Sequence, residues 1–368
     1  KSELKKYLAI HDFFFFQAED GIRYLYEGIK EYMTCSHPQS EIKEYRLNPI
    51  VNVEDNYDNL LIDKDNISRS STYTHYVDTK RVLRTHTSAQ IPLILKELAN
   101  TKNNWNDVVI ILPGLVYRRD VTDKKHLGVI QHLEMWRVTK NSYYRKIVRQ
   151  DLIHVINGLS EICAPGWKKR NVDKVHPYTI EGIEVNLVKN NSDIEILEGG
   201  VIKPQILENA GLDPNKYSGW AMGAGLDRLV MTLKEIPDIR YLRSTNPKIQ
   251  RQMTDLSKYV EVSLMPAIVR DISYCVPQEY VEEDIHQEIR DSIGSDYEII
   301  ESIEIINETL SNELPPEVRE KLGCKPTMKN ILVRITLRHL DKTLTREEAN
   351  DLYSKIYLKV NYGKNIYV

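Results

Sequence analysis

The chain has 368 residues, 41% of them apolar, and a formal net charge of -3 at neutral pH. That length buries a large core and divides into two or more domains, while the balanced charge excludes a wholesale nucleic-acid binder, so any RNA contact is local. No apolar run approaches the ~20 residues that a membrane-spanning helix needs. The cysteines Cys35, Cys163, Cys275 and Cys324 are scattered without metal-ligand spacing and read as free thiols of a reducing compartment. Glu3, Asp12, Glu19, Asp20, Glu27 and Glu31 make the first residues too acidic for a usual organelle transit peptide, so a cytoplasmic protein is the default.

The four phenylalanines are consecutive at positions 13–16. Their setting, HDFFFFQAEDGIR, resembles peptide translated from sequencing adapter, and residues 11–23 receive no functional weight. Residues 24–45 are helix-like and complete an N-terminal segment, 1–45. Residues 45–62 mix short apolar runs with Asn and Asp turn formers, and 63–78 are polar and loop-like. In RTHTSAQIPLILKELAN, from residue 84, the spacing of Ile91, Leu93, Leu95 and Leu98 predicts a helix with Thr87 and Ser88 as cap formers. The apolar runs at 108–112 and 129–138 predict two antiparallel strands joined by a long loop, where ligands are commonly gripped.

Ile147, Leu152, Val155, Ile156 and Leu159 predict an amphipathic helix over 146–164. The segments IEGIEVNLV, DIEILEGGVI and SGWAMGAG predict a second strand cluster. A helix closes it, with Leu226, Leu229, Val230 and Leu233 at helical spacing. Gly223 and Gly225 let the backbone pass close to a ligand, and Arg228 falls in the first helical turn. Past residue 259, MPAIVRDISYCV, YVEEDIHQEIRDSI, strands around 299–306 and 331–337, and a helix after Thr345 predict β-α-β-β-α, a small ferredoxin-like sandwich. Residues 279–320 are strongly acidic. Lys325, Lys329, Arg334, Arg338, Lys342, Arg346, Lys355 and Lys359 bias the tail toward basic, which suits either a solvated surface or a face for RNA phosphate.

Three segments carry the chemistry: RTHTSAQ at 84–90, LVYRRDVTDKKHLGVIQHLE at 115–134 and GAGLDR at 223–228. Their order and spacing resemble a class II aminoacyl-tRNA synthetase, and more narrowly the catalytic chain of the phenylalanyl-tRNA synthetases. The tail, with MPAIVRDIS and ITLRHLDKTLTREEA, resembles the anticodon-binding domain fused to the single-chain organellar form. The resemblance implies an α/β (α+β) fold: an antiparallel sheet flanked by helices, then a ferredoxin-like α+β sandwich. It sets a catalytic domain at 46–250 and an anticodon-binding domain at 251–368. It implies ATP and Mg²⁺ as cofactors, tRNA and an amino acid as partners, no membrane, and a monomer. The organellar compartment stands as the alternative to the cytoplasmic default.

An amino acid carboxylate is ionised at neutral pH and attacks the α-phosphate of ATP without a general base, so catalysis reduces to positioning and charge. By the resemblance, Arg118 holds the α-phosphate and Arg228 the γ-phosphate. Glu195, in EIL, holds Mg²⁺ directly or through water. Asp120 faces adenine, Lys125 and His126 lie in the ATP-facing loop, and Ile130 occupies the adenine-stacking position. His86 and Ser88, with Gln90 alongside, bind the amino end of the substrate, and Glu134 supplies a carboxylate for its ammonium. His132, His176, Tyr178, Ala221 and Met222 complete the amino-acid pocket.

Departures from the family pattern concentrate in that pocket. The pattern Phe-His-Gln-x-Glu becomes Ile130, Gln131, His132, Leu133, Glu134, which weakens adenine stacking. Phe-Pro-Phe-Thr becomes His176, Pro177, Tyr178, Thr179. Met222 stands where the organellar form has phenylalanine, and Glu198 replaces the first glycine of Gly-x-Gly; its charge near an apolar ring is costly unless paired. Drift in a lineage that writes tyrosine for phenylalanine, with 22 tyrosines here, is one explanation. A changed substrate is the other, because a hydrogen-bonding pocket rejects a ligand lacking the matching group. Ala221 and the anticodon domain favour phenylalanine over another aromatic or polar amino acid. Joint retention of Arg118, Glu134, Glu195 and Arg228 disfavours a non-catalytic tRNA-binding or regulatory paralogue.

Overall fold

A computed structural model describes residues 19–101, 104–119, 123–189, 192–244, 246–262, 265–339 and 342–365. The chain clusters into two units. One comprises Lys1–Arg118, Val129–Ile236 and Met253–Tyr259, the other Arg119–Gly128, Pro237–Gln252 and Val260–Val368.

The first unit begins with helix α1 (Glu19–Ser36), whose Ile22, Leu25, Ile29 and Met33 are buried. The phenylalanine run lies outside the described residues. The helix stops earlier than the sequence suggests: Glu41–Glu44 is strand β1, which pairs in parallel with Val108–Ile111. EIKE has no strand signal of its own, and its conformation comes from that pairing. Strands β2 (Ile50–Asn52) and β3 (Arg81–Leu83) form a separate ribbon.

Helix α2 (Ile91–Asn100) buries Ile91, Ile94, Leu95 and Leu98, while Leu93 is exposed. Its face packs on Val108, Ile110, Leu112, Trp136 and Val138. Thr87 and Ser88 do not cap it. They sit in a 3₁₀ turn, Thr87–Gln90, and their hydroxyls face the site instead.

Strands β4 (Asp107–Tyr117) and β5 (Val129–Lys140) pair antiparallel as the sequence predicts. Every residue of β4 is buried, which explains its unbroken apolar run. After α3 (Arg149–Cys163) come β6 (Lys169–Lys174), β7 (Thr179–Lys189) and β8 (Ser192–Ile202). A short α4 (Pro204–Asn209), β9 (Tyr217–Gly225) and α5 (Leu226–Lys234) follow. The later strands are not a second cluster: they join β4 and β5 in one seven-stranded sheet ordered β1-β4-β5-β9-β8-β7-β6, antiparallel except at β1.

Gly219 shows how tightly β9 is held. A Cβ there would lie 2.0 Å from the Arg137 carbonyl oxygen and 2.7 Å from Ile202 Cδ1. Backbone at that distance cannot rotate aside, so Gly219→Ala is expected to destabilise the chain at the upper end of the ~1–3 kcal/mol typical of overpacking. A denaturant midpoint equal to the parent's would contradict this.

The second unit contains β10 (Ile268–Pro277), α6 (Glu282–Ile293), β11 (Ile300–Leu310), a short α7 (Pro316–Leu322), β12 (Met328–Leu337) and α8 (Arg346–Val360). Its sheet runs β10-β12-β11, antiparallel throughout. On β12, Ile331, Val333, Ile335 and Leu337 are buried at every second position. They pack with Ile285 and Ile289 of α6 and Leu352, Ile356 and Val360 of α8. This is the predicted ferredoxin-like sandwich, with α7 added. Lys329 pairs with Glu308 at 3.0 Å, Arg334 with Asp271 at 2.8 Å, Lys342 with Glu348 at 3.1 Å, and Arg338 with Glu301. Much of the tail's basic charge is thus neutralised within the unit. All four cysteines are free thiols, and only Cys35 is exposed.

Candidate active site

Across one face of the large sheet, Glu134 of β5 lies opposite Gly223 of β9, Glu198 of β8 lies opposite that same glycine, and Glu184 of β7 lies opposite Glu198. Directly paired residues share a face, so the row reads Glu184, Glu198, Gly223, Glu134 over four strands. A Cβ at Gly223 would lie 3.3 Å from both Glu134 Oε2 and His132 Cε1. Glycine is what keeps this trough open. A bulge adds the next carboxylate: Val185 pairs with Leu197 but Asn186 with Glu195, leaving Ile196 as the extra residue. The bulge turns Glu195 onto the Glu198 face, and carboxylate oxygens of Glu184, Glu195 and Glu198 lie within 4.8 Å of one another.

Lys174, at the end of β6, answers these acids. Its Nζ is 2.5 Å from Glu184, 3.8 Å from Glu198 and 3.9 Å from Glu195. The bond to Glu184, then the other two acids, raises its pKa against desolvation. Burial and the neighbouring Glu198 raise the Glu195 carboxyl, with Lys174 and Arg228 opposing, so the Arg228 charge reaches Glu195. Arg228 is exposed in the first turn of α5, after Gly225. Its neighbour Asp227 is buried and accepts the Gln131 backbone N–H, which anchors the helix to β5.

Glu134 is buried and accepts a 2.6 Å bond from Trp136 Nε1. Burial pushes its carboxyl up to about 8, against the hydrogen bonds of Trp136 and Ser88 and with help from Glu198. His132 Nδ1 is 2.6 Å from Thr87 Oγ1. Burial, then the Arg118 charge, lowers His132 to about 3 and His86 to about 4, so both rings are neutral at pH 7. Among the described residues, neither ring nitrogen of His86 has a partner at hydrogen-bond geometry. Arg118 is half-buried just past β4, and its Nε donates to Thr85 O at 3.0 Å.

Beside Glu134, a small concavity is lined by His176, Tyr178, Thr179, Glu198, Gly199, Ala221, Met222 and Gly223. Tyr178 stacks on Trp136 with centroids 5.8 Å apart at 21°, and its hydroxyl is 3.5 Å from Ser88 Oγ. Ala221 shares the Gly223 face; strand alternation sends the Met222 side chain to the other face. The charge cost expected for Glu198 is met by a pairing: its Oε2 is 2.9 Å from His176 Nε2, whose Nδ1 is 3.3 Å from Thr179 Oγ1.

Gln90 is buried, with Oε1 accepting from Arg84 and Nε2 donating to Asn48 O at 2.7 Å. Ile130 is half-buried on β5 opposite Val116. Lys125 and His126 belong to the second unit, where Asp123 Oδ1 accepts both backbone N–H groups and lies 3.0 Å from His126 Nδ1. Asp120 lies outside the described residues. Sequence reading missed Glu184, Lys174, Trp136 and Thr87. Alternation from Glu134 signals Trp136; the bulge that gathers the acids leaves no sequence mark.

One sheet face thus holds a buried carboxylate beside a small concavity, with Arg118 just past β4 and Arg228 in the helix that follows β9. The family described as tRNA synthetases class II core domain (F) matches residues 19–253, and the chain belongs to it, the class II aminoacyl-tRNA synthetases. Among curated relatives, it is 28% identical over 352 residues to the chloroplastic/mitochondrial phenylalanine–tRNA ligase of Arabidopsis thaliana, covering 93% of this chain and 76% of that one. It is 26% identical over 406 residues to the probable mitochondrial phenylalanine–tRNA ligase of Drosophila melanogaster, covering 90% and 84%. With the mitochondrial enzyme of Saccharomyces cerevisiae it shares 26% over 391 residues, covering 85% and 80%.

Proposed function

We propose that this chain activates phenylalanine with ATP as an aminoacyl-adenylate and transfers the aminoacyl group to the 3′ end of tRNA. The observation that carries it is Glu134, buried beside a cavity bounded by Ala221 and by Tyr178 stacked on Trp136. Glu134 meets the ammonium, with His86, Ser88 and His132 around it, and the cavity takes the ring. The substrate carboxylate attacks the α-phosphate; an O–P bond forms, the α–β bridge breaks, and pyrophosphate leaves. Arg118 stabilises charge developing at the α-phosphate, and Arg228 holds the γ-phosphate. Ile130 serves the nucleotide.

Class II synthetases use ATP with a divalent metal, and carboxylate oxygens suit Mg²⁺. Glu195, with Glu184, would hold the ion, which when bound neutralises phosphate charge. We assign catalysis to 46–250 and tRNA anticodon binding to 251–368. The relatives named above are organellar enzymes, which supports an organelle over the cytoplasmic default.

Pyrophosphate exchange over all amino acids tests the reading: phenylalanine is expected to lead, and activation of small or charged amino acids alone would overturn it. His176 has both ring nitrogens engaged, Nε2 with Glu198 and Nδ1 with Thr179, which favours a plain ring over a polar one. Tyr178→Phe is accordingly expected to change phenylalanine activation less than about threefold, because a 3.5 Å hydroxyl contact is at the edge of a hydrogen bond. A loss of ~1–3 kcal/mol in kcat/KM would instead mark a substrate group left unpaired.

A further inference from the structure

We propose that Glu198 is a second carboxylate for the substrate's ammonium, facing Glu134 across Gly223. This rests on the functional reading above and adds a residue to it. Glu134 and Glu198 pair with the same glycine from opposite sides, so their backbones stand about 10 Å apart, two strand spacings, with no side chain between them. Glu134 Oε2 stands 3.3 Å from where a Cβ at Gly223 would lie, and Glu198 lines the same concavity as Gly223. A cation above Gly223 would have a carboxylate on either side. An ammonium has three donors, and a single carboxylate leaves donors for a second.

Glu198 is built for the task. It lines the cavity, and it is held from behind by His176 Nε2 at 2.9 Å and Lys174 Nζ at 3.8 Å, with Thr179 steadying the far side of the imidazole at 3.3 Å. Those donors fix the carboxylate while leaving acceptor capacity toward the trough. Glu134, Tyr178 and His86 all sense its charge, so it acts within the amino-acid site and not merely beside it. The competing role is metal binding with Glu184 and Glu195, whose carboxylate oxygens lie within 4.8 Å of that of Glu198.

Two inhibitors of phenylalanine-dependent exchange by the full chain separate these roles: phenylalaninol, which keeps the ammonium, and 3-phenylpropionate, which keeps the carboxylate. Glu198→Gln is expected to weaken phenylalaninol about tenfold or more, the effect of losing a charge-assisted bond, and 3-phenylpropionate less than about twofold. KM for phenylalanine should rise more than kcat falls, with KM for ATP and the Mg²⁺ requirement unmoved. Glu198→Asp should recover part of the phenylalaninol inhibition. Unchanged phenylalaninol inhibition, equal weakening of both inhibitors, or a raised Mg²⁺ requirement overturns the proposal. A parent that activates other amino acids but not phenylalanine overturns the functional reading as well.

Discussion

Arg118→Ala and Arg228→Ala are each expected to lower phenylalanine-dependent pyrophosphate exchange by at least about a hundredfold, the cost of losing one donor to transition-state charge. Neither should unfold the protein. Among the described residues, Arg118 donates to the Thr85 carbonyl from a half-buried position, and Arg228 is exposed; changes outside the core usually move stability within about 0.5 kcal/mol. Arg228 carries a further signature. A cation in the first turn opposes the helix dipole by ~0.3–1 kcal/mol, so α5 holds Arg228 at a small cost to itself. Such a placement suits a residue kept for an anion outside the helix. Arg228→Ala should therefore leave the thermal midpoint unchanged or slightly raised while exchange collapses. Parent-rate exchange by either variant would remove that arginine from the mechanism.

The second large effect concerns Glu134 and pH. Burial raises its carboxyl to about 8, so in the free protein it is mostly neutral at pH 6 to 7 and becomes ionised as pH rises through that value. Ammonium capture needs the ionised form. KM for phenylalanine is thus expected to fall with rising pH, by up to about tenfold per unit, and to level off past about 8. Of the groups that face Glu134, Glu198 reinforces the shift and the neutral His132 offers no compensating cation, while the Trp136 and Ser88 hydrogen bonds oppose it without reversing it. Glu134→Gln keeps the shape but not the charge. It should raise KM roughly 10- to 100-fold and abolish the pH slope. A KM that is flat from pH 6 to 8 in the parent would remove Glu134 from the ammonium.

Local signals determined most of the elements. The apolar run of β4, the return of β5, the glycines ahead of α5 and the alternation along β12 were legible because each is a short-range consequence of burial on a period of two or 3.6. Family-matched segments also placed His86, Ser88, Glu134, Glu195, Tyr178 and Ala221 on the chain before any strand was paired. Pairing itself was not legible. EIKE becomes β1 only because Val108–Ile111 offers it an edge, and Thr87 turns from an expected cap into a partner of His132 because its turn packs beneath β5.

The acidic row was least visible of all. Glu184, Glu198 and Glu134 are far apart in sequence, and Glu195 and Glu198, three apart, would face opposite sides of a regular strand. Cross-strand register and one extra residue, Ile196, bring them to a common face, with Lys174 as counter-charge and glycine at 223 as the opening. Residue types and order by themselves determined the class of chemistry, because arginines, carboxylates and glycines carry it wherever they fall. Which carboxylates come together was decided only by tertiary structure, because side chains on neighbouring strands meet through pairing and not through spacing along the chain.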